Sequence, residues 1–372
     1  MAKCFILCNL NNPKSDYIIS SYAGSSISYY LGDIVSDTHQ VIFINVGATC
    51  KKWSSKSKHN VYSHNDSKII EFNEGCSFLP TRIKSKLMIK QAVKYIINNS
   101  NSSDFVLVYH SISFSPFYNK ILQKFGINRA ILHVAEFYSD VGNIKFSKKK
   151  EINSIKLFKK HIFMSKGLLS QIQSEAKNNS FAMLYGVYDV KPCIHNDSEF
   201  FDVVYAGTTS KIKGGLFNAL NASKFLPNNY RLHIFCRANI DLIDEIKGYP
   251  VIYEGYVTED ELNKKLVTYD IGLASQNPNS IFNNSSFPSK IVNYLSCGLN
   301  VVSSKSISVI DSPFKDKVYF YEYDETGEEL ANAIIKASKT LDKIGNCKMI
   351  QEMDSSVRKD VKKLFIYENT RN

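Results

Sequence analysis

Short apolar runs alternate with helix-patterned segments along the whole chain, and no other feature narrows the fold as far. In the first half CFILCNL (4–10), QVIFINV (40–46), DFVLVYH (104–110), RAILHV (129–134), HIFMS (161–165) and FAMLY (181–185) read as buried strands. Between the first two, SSISYYLGDIV puts Ile27, Tyr30, Leu31, Ile34 and Val35 at helical spacing, and Ile83, Leu87, Ile96 and Ile97 begin and end a second amphipathic helix. After the polar break VKPCIHNDSEF (190–200) the plan repeats, with strands at 201–207, 230–236, 250–255, 269–275, 299–304 and 317–321 and helices at 214–226, 239–247, 258–268, 289–297 and 325–341. Strand, helix, strand order with apolar strands predicts parallel sheets covered on both faces. The expectation is an α/β chain of two doubly wound parallel-sheet domains, 1–189 and 190–354. A last helix follows at 355–370, with Val357, Val361, Leu364 and Phe365 on one face. Ligands of such sheets bind outside the carboxyl ends of the strands, so the best site is expected in a cleft between the domains.

A length of 372 residues exceeds one hydrophobic core and suits two. No run approaches the ~18 apolar residues of a membrane span, and MAKCFILCNLNNPKSD has too short an apolar stretch for a signal peptide, so a cytoplasmic chain is expected. Cys4, Cys8, Cys50, Cys76, Cys193, Cys236, Cys297 and Cys347 show no CxxC spacing and are expected as buried free thiols rather than metal ligands. The net charge of +11 is uneven: residues 1–190 hold 24 Lys+Arg against 12 Asp+Glu, and the remainder 22 against 23. The excess concentrates in KFSKKKEINSIKLFKKHIFMSK (145–166), which reads either as a basic amphipathic helix on an anionic membrane surface or as a solvated lysine face. Six arginines among 46 basic residues speak against sequence-specific binding of nucleic acid.

Two turns are suited to anions. In AGTTSKIKGGLFNAL (206–220), Gly207 lets the chain approach a ligand, Lys213 offers a charge, and Gly214-Gly215 open a helix. In FPSKIVNYLSCG (287–298), Pro288 precedes a helix start at which Ser289 and Lys290 supply a hydroxyl and an ammonium; Ser289 is equally suited to be a plain helix cap. Neither turn matches GxGxxG or GxxxxGK[ST], so a dinucleotide or ATP site of those kinds is not expected. In the first half, Gly24-Ser25-Ser26 starts a helix after the first strand. HVAEFYSD (133–140) places Glu136 after another strand, as a general base, a hydroxyl acceptor or a structural carboxylate. His110 and His133 read as satisfied core residues.

The order YAGTTSKIKGG, YEGYVTEDEL, FPSKIVNYLSCGLNVVSS over 201–304 resembles that of GT-B glycosyltransferases of the family-4-like, bacterial polysaccharide and capsule type. AEFY, IFMSKGLL and MLYGVYDVKP are similar to weaker elements of the same group. The resemblance implies two Rossmann-like domains facing a central cleft, with the last helix crossing back to the first domain. It implies transfer of a sugar, with retention and without a metal or other cofactor, from a nucleotide sugar (a UDP-sugar) to a glycan or polyprenyl-linked glycan at the inner face of the membrane. Lys213, Ser289 and Lys290 would hold the diphosphate, Tyr256 and Arg237 would flank the nucleotide, Gly24 would approach the sugar phosphate, and Glu136 would lie on the acceptor side. The chain departs from the group where two glutamates are common: Ser285 and Asn293 stand there, and Thr208 or Thr209 replaces an arginine before the KG turn. A nucleotide-sugar epimerase and a non-catalytic GT-B-like partner subunit are the alternatives.

Overall fold

Each apolar run read as a strand carries one, and the helices fall between them. The computed structural model describes residues 1–11, 22–48, 59–73, 80–141, 147–173, 180–192, 198–210 and 215–366. Up to residue 184 the chain forms β1 (Lys3–Cys8), α1 (Tyr22–Ser36), β2 (Gln40–Ala48), β3 (Asn60–His64), β4 (Ser67–Asn73), α2 (Thr81–Asn99), β5 (Phe105–Tyr109), α3 (Tyr118–Phe125), β6 (Ala130–Val134), α4 (Tyr138–Val141), α5 (Lys148–Ile155), β7 (Lys160–Phe163), α6 (Lys166–Gln173) and β8 (Ser180–Met183). From residue 201 it forms β9 (Phe201–Ala206), α7 (Leu216–Ala222), β10 (Tyr230–Phe235), α8 (Ile240–Lys247), β11 (Ile252–Gly255), α9 (Glu259–Leu266), β12 (Ile271–Ala274), α10 (Lys290–Ser296), β13 (Asn300–Ser304), α11 (Ile307–Ile310), β14 (Val318–Tyr321), α12 (Glu328–Ser338) and α13 (Lys343–Lys363). Residues 1–164, 168–184 and 357–372 make one compact unit, and 165–167 with 185–356 make the other.

The first unit holds one sheet in the order β3-β4-β2-β1-β5-β6-β7-β8, and the second holds one in the order β11-β10-β9-β12-β13-β14. The second sheet is parallel throughout. Its core packs Val203, Tyr205, Ile234, Ile271 and Leu273 of the strands against Leu216, Leu220, Leu330 and Ile334 of the helices. In each sheet the strand order reverses beside the unit's first strand, between β1 and β5 and between β9 and β12. Crossover helices diverge there and leave a crevice at the carboxyl ends.

Several expectations need correction. The first sheet is not wholly parallel: β3 and β4 form an antiparallel hairpin at its edge, turning at Asn65, whose φ is +48°. The Asn65-Asp66 pair between alternating residues was the signal for it. In α2, Ile83 and Leu87 are exposed at 46% and 44%, while Met88, Ile89, Ala92, Val93 and Ile96 are buried. The second half of the helix packs on the sheet, so Ile96 of the stripe read from its ends is buried, whereas Ile83 and Leu87 are not. The last helix starts at Lys343, well before 355: the Asp342 carboxylate just ahead of it accepts the Gly345 amide at 2.9 Å, and the Asn346 side chain donates to the carbonyls of Leu299 (3.1 Å) and Gly298 (3.4 Å).

The lysine-rich run is not one amphipathic helix. It divides into α5 and β7. Lys160, on β7, is buried, and its ammonium donates to the carbonyls of Leu364 (2.7 Å) and Ile366 (3.0 Å) beyond α13. Lys148 is bonded to Asp140 at 2.8 Å. Cys4, Cys8, Cys236 and Cys297 are buried free thiols as expected, whereas Cys347 is disulfide-bonded.

Candidate active site

The carboxyl ends of the second sheet's strands carry residues that are far apart in sequence. Gly207 follows β9, Arg237 follows β10, Tyr256 follows β11 and Ser275 follows β12, all at carboxyl ends. Gly215 opens α7 hard against the β12 end. A side chain there would put its Cβ 1.9 Å from the Ser275 carbonyl oxygen, and the Ser275 hydroxyl donates to the Gly215 carbonyl at 2.9 Å. Only glycine lets the two turns meet so closely.

Lys290, the first residue of α10, reaches into this place. Its ammonium lies 4.6 Å from the centroid of the Tyr205 ring, on β9. A Cβ at Gly207 would stand 2.8 Å from the same nitrogen, so the glycine makes the room that the ammonium fills. Among the described residues no carboxylate pairs with it, and burial pushes its pKa down to about 8. The aromatic face offsets part of the cost of a buried cation. The Tyr205 hydroxyl donates to the Thr208 carbonyl at 2.7 Å. Tyr294, one helical turn past Lys290, accepts the Ala206 amide at 3.0 Å and so ties α10 to the end of β9.

The other expected residues of this unit divide into three groups. Arg237 and Tyr256 are brought together: the guanidinium lies 4.5 Å from the centroid of the Tyr256 ring, which is 48% exposed. Asn293 lies on the same short helix as Lys290 and Ser289 immediately before it, both half-buried. Ser289 precedes α10 in helical geometry and its side chain makes no capping bond, which corrects the plain-cap alternative. Ser285, at the other glutamate position, is buried at 1% exposure with its hydroxyl on the Phe282 carbonyl at 3.3 Å. Lys213 and Gly214 lie outside the described residues.

In the first unit Gly24 is the third residue of α1 and is buried, its carbonyl accepting the Ser28 hydroxyl at 2.8 Å. Glu136 is half-buried in the loop between β6 and α4. Burial, with the charge of Glu136 among the smaller causes, raises the pKa of the Tyr109 and Tyr138 phenols beside it. His110 is a satisfied core residue, placed between the Tyr118 hydroxyl (2.8 Å) and Glu151 (3.0 Å). His133 is buried, but neither ring nitrogen has a partner among the described residues, and burial lowers its pKa to about 3, so the ring is neutral. Tyr205, Ser275 and Glu151 were not singled out in the sequence. Tyr205 and Ser275 belong to ordinary strand patterns, and Glu151 is hidden among lysines.

Among the described residues no cluster of His, Cys, Asp and Glu is arranged to hold a metal ion, and no helix is long and apolar enough to cross a membrane.

The fold is that of the GT-B glycosyltransferases, with two parallel-sheet α/β units. No protein-family model and no curated protein matches the sequence. Solved structures do match over nearly the whole chain. An alpha,alpha-trehalose-phosphate synthase (UDP-forming) from Burkholderia xenovorans, in complex with glucose-6-phosphate, has a TM-score of 0.65 at 11% identity, covering 98% of each chain. Sucrose-phosphate synthase from Thermosynechococcus elongatus has a TM-score of 0.63 at 12% identity, covering 99% of this chain and 96% of that one. An E. coli structure described as trehalose-6-phosphate bound with UDP-2-fluoro glucose has a TM-score of 0.62 at 9% identity, covering 98% and 97%. At such identities the likeness is one of fold.

Proposed function

We propose that the chain is a retaining, metal-independent glycosyltransferase that moves a sugar from a UDP-sugar to an acceptor hydroxyl. The observation that carries this reading is Lys290. Among the described residues no carboxylate pairs with this desolvated ammonium, which stands at the reversal point of a doubly wound sheet as a cation lacking its anion, and a diphosphate supplies one. As the bond from the sugar C1 to the diphosphate oxygen breaks, negative charge grows on the leaving UDP, where Lys290, assisted by Lys213 and the Ser289 hydroxyl, neutralises it. The stacked Arg237–Tyr256 pair would flank the base, and the single amide oxygen of Asn293 would accept from a ribose hydroxyl. In the first unit Gly24 would allow close approach of the sugar phosphate, and Glu136 would accept the proton of the attacking hydroxyl as its oxygen bonds to C1.

Fold neighbours solved with UDP-2-fluoro glucose and with glucose-6-phosphate support a nucleotide-sugar donor and a sugar-phosphate acceptor. A lipid-linked glycan acceptor in surface polysaccharide synthesis, with peripheral contact at the inner face of the membrane, is the finer reading that the resemblance and the basic first half support. A panel of UDP-sugars is to be offered with glucose 6-phosphate, free sugars and polyprenyl-pyrophosphate glycans in parallel. Transfer to one acceptor class is expected, and the absence of binding or turnover with every donor would sink the proposal.

The enclosed Ser285 and the amide at Asn293 favour a second reading, a non-catalytic GT-B-like partner subunit. It predicts co-purification with another transferase and no UDP-sugar affinity by calorimetry.

A further inference from the structure

Glu151 follows three lysines in α5, yet its side chain is wholly buried. Both carboxylate oxygens are used. Oε1 accepts from the Tyr138 amide at 2.8 Å and lies 3.0 Å from His110 Nε2, and Oε2 accepts from the Ser139 amide at 3.0 Å. Burial opposes its ionisation, but the bonds from His110, Ser139 and Tyr138 outweigh that and hold its pKa below the usual carboxylate range. An ionised carboxylate only accepts, so His110 Nε2 carries a hydrogen. In the neutral ring Nδ1 then accepts from the Tyr118 hydroxyl 2.8 Å away.

The two amides are the first of α4, and a helix cannot satisfy its own first N–H groups. A carboxylate from another helix does so here, two and three residues past Glu136. On the other side of Glu136, β6 is paired through Val134, which sits opposite Phe163. Phe137 is fully buried, with the Lys148 ammonium 5.1 Å from its ring centroid. Ala135 and Glu136 therefore form a short span between two fixed points, and Glu151 makes one of them.

We propose that Glu151 is the positioning residue for Glu136: its carboxylate ties the start of α4 to the end of β5 through His110, so that the Glu136 side chain is presented at a set place. The inference rests on the acceptor-side reading of Glu136. Glu151→Gln keeps the shape but replaces an acceptor oxygen with an NH2 donor facing other donors. In this variant the Tyr138 and Ser139 amides should exchange with solvent at least tenfold faster. The kcat for transfer should fall at least tenfold, while the donor KM stays within twofold. The double variant Glu136→Gln/Glu151→Gln should be no slower than Glu136→Gln alone, because Glu151 acts through Glu136. If Glu151→Gln does not fold, Glu151→Asp, a carboxylate one methylene short, is read in the same way. Unchanged exchange at both amides, additive losses in the double variant, or a parallel rise in donor KM each overturn the proposal. Wild-type transfer by Glu136→Gln would remove the reading of Glu136 itself, and the exchange rates would still decide whether Glu151 anchors the loop.

Discussion

Lys290 separates stability from function within one side chain. A lysine whose pKa falls from 10.5 to about 8 on folding costs the folded state about 3 kcal/mol at neutral pH. That cost is fully present below pH 8 and is relieved as the pH rises from about 8 towards 10.5, because the unfolded chain then binds more protons than the folded one. Lys290→Met should therefore raise the melting temperature of the ligand-free protein at pH 7 and lose most of that advantage near pH 10.5. The same substitution should weaken UDP binding at least thirtyfold, measured by calorimetry. An anion beside the ammonium favours its charged form, so UDP affinity of the parent protein should decline as the pH rises through about 8, and the decline should be absent in Lys290→Met. A melting temperature lowered by several degrees would instead make Lys290 a structural residue. The sequence displayed Gly207 and Lys290 as two separate anion-friendly turns. That one makes room for the other depends on the pairing of β9 with β12 and could not be read from either.

At the scale of elements, the second unit's site depends on two turns meeting. Gly215→Ala would drive a Cβ into the Ser275 backbone, which has no flexible end to yield, and should destabilise the protein by about 3 kcal/mol in urea unfolding. A loss below 1 kcal/mol would show that the α7 start shifts freely. Element type was legible wherever an apolar run was short and bounded, as in β9 and β13. In α9 the Thr258-to-Glu261 capping box sits where TEDEL announced a helix start. Faces were less legible. Ile83 and Leu87 fit a helical stripe, but which stripe meets the sheet depends on where α2 lands. Likewise Lys148, Glu151 and Lys160 looked alike as parts of a charged run, and packing made one an ion pair, one a buried anchor and one a cap.

Across the whole molecule the chain returns to its first unit through α13. Arg358 pairs with Asp33 of α1 at 2.8 Å and Lys362 with Asp37, both at the surface, while Lys160 holds two carbonyls at the end of the helix from inside. Partly exposed pairs contribute up to about 1 kcal/mol each, whereas leaving the buried Leu364 carbonyl without a donor costs about 1–3 kcal/mol. Lys160→Met should thus destabilise the first unit by about 1–3 kcal/mol and speed amide exchange over 357–366, with Arg358→Ala changing either by less. Equal effects would place the anchoring at the surface.

By itself the sequence determined the alternation of strand and helix, the repeat of that plan in both halves, and the glycines and basic residues at strand ends. Each of these follows from local pattern: apolar period, turn chemistry and residue type. Tertiary structure alone decided that Lys290 lies over Tyr205, that Arg237 stacks on Tyr256, and that Glu151 closes on the loop of Glu136. Those contacts join residues brought together by strand order and helix docking, and no local spacing in the chain encodes which strand lies beside which.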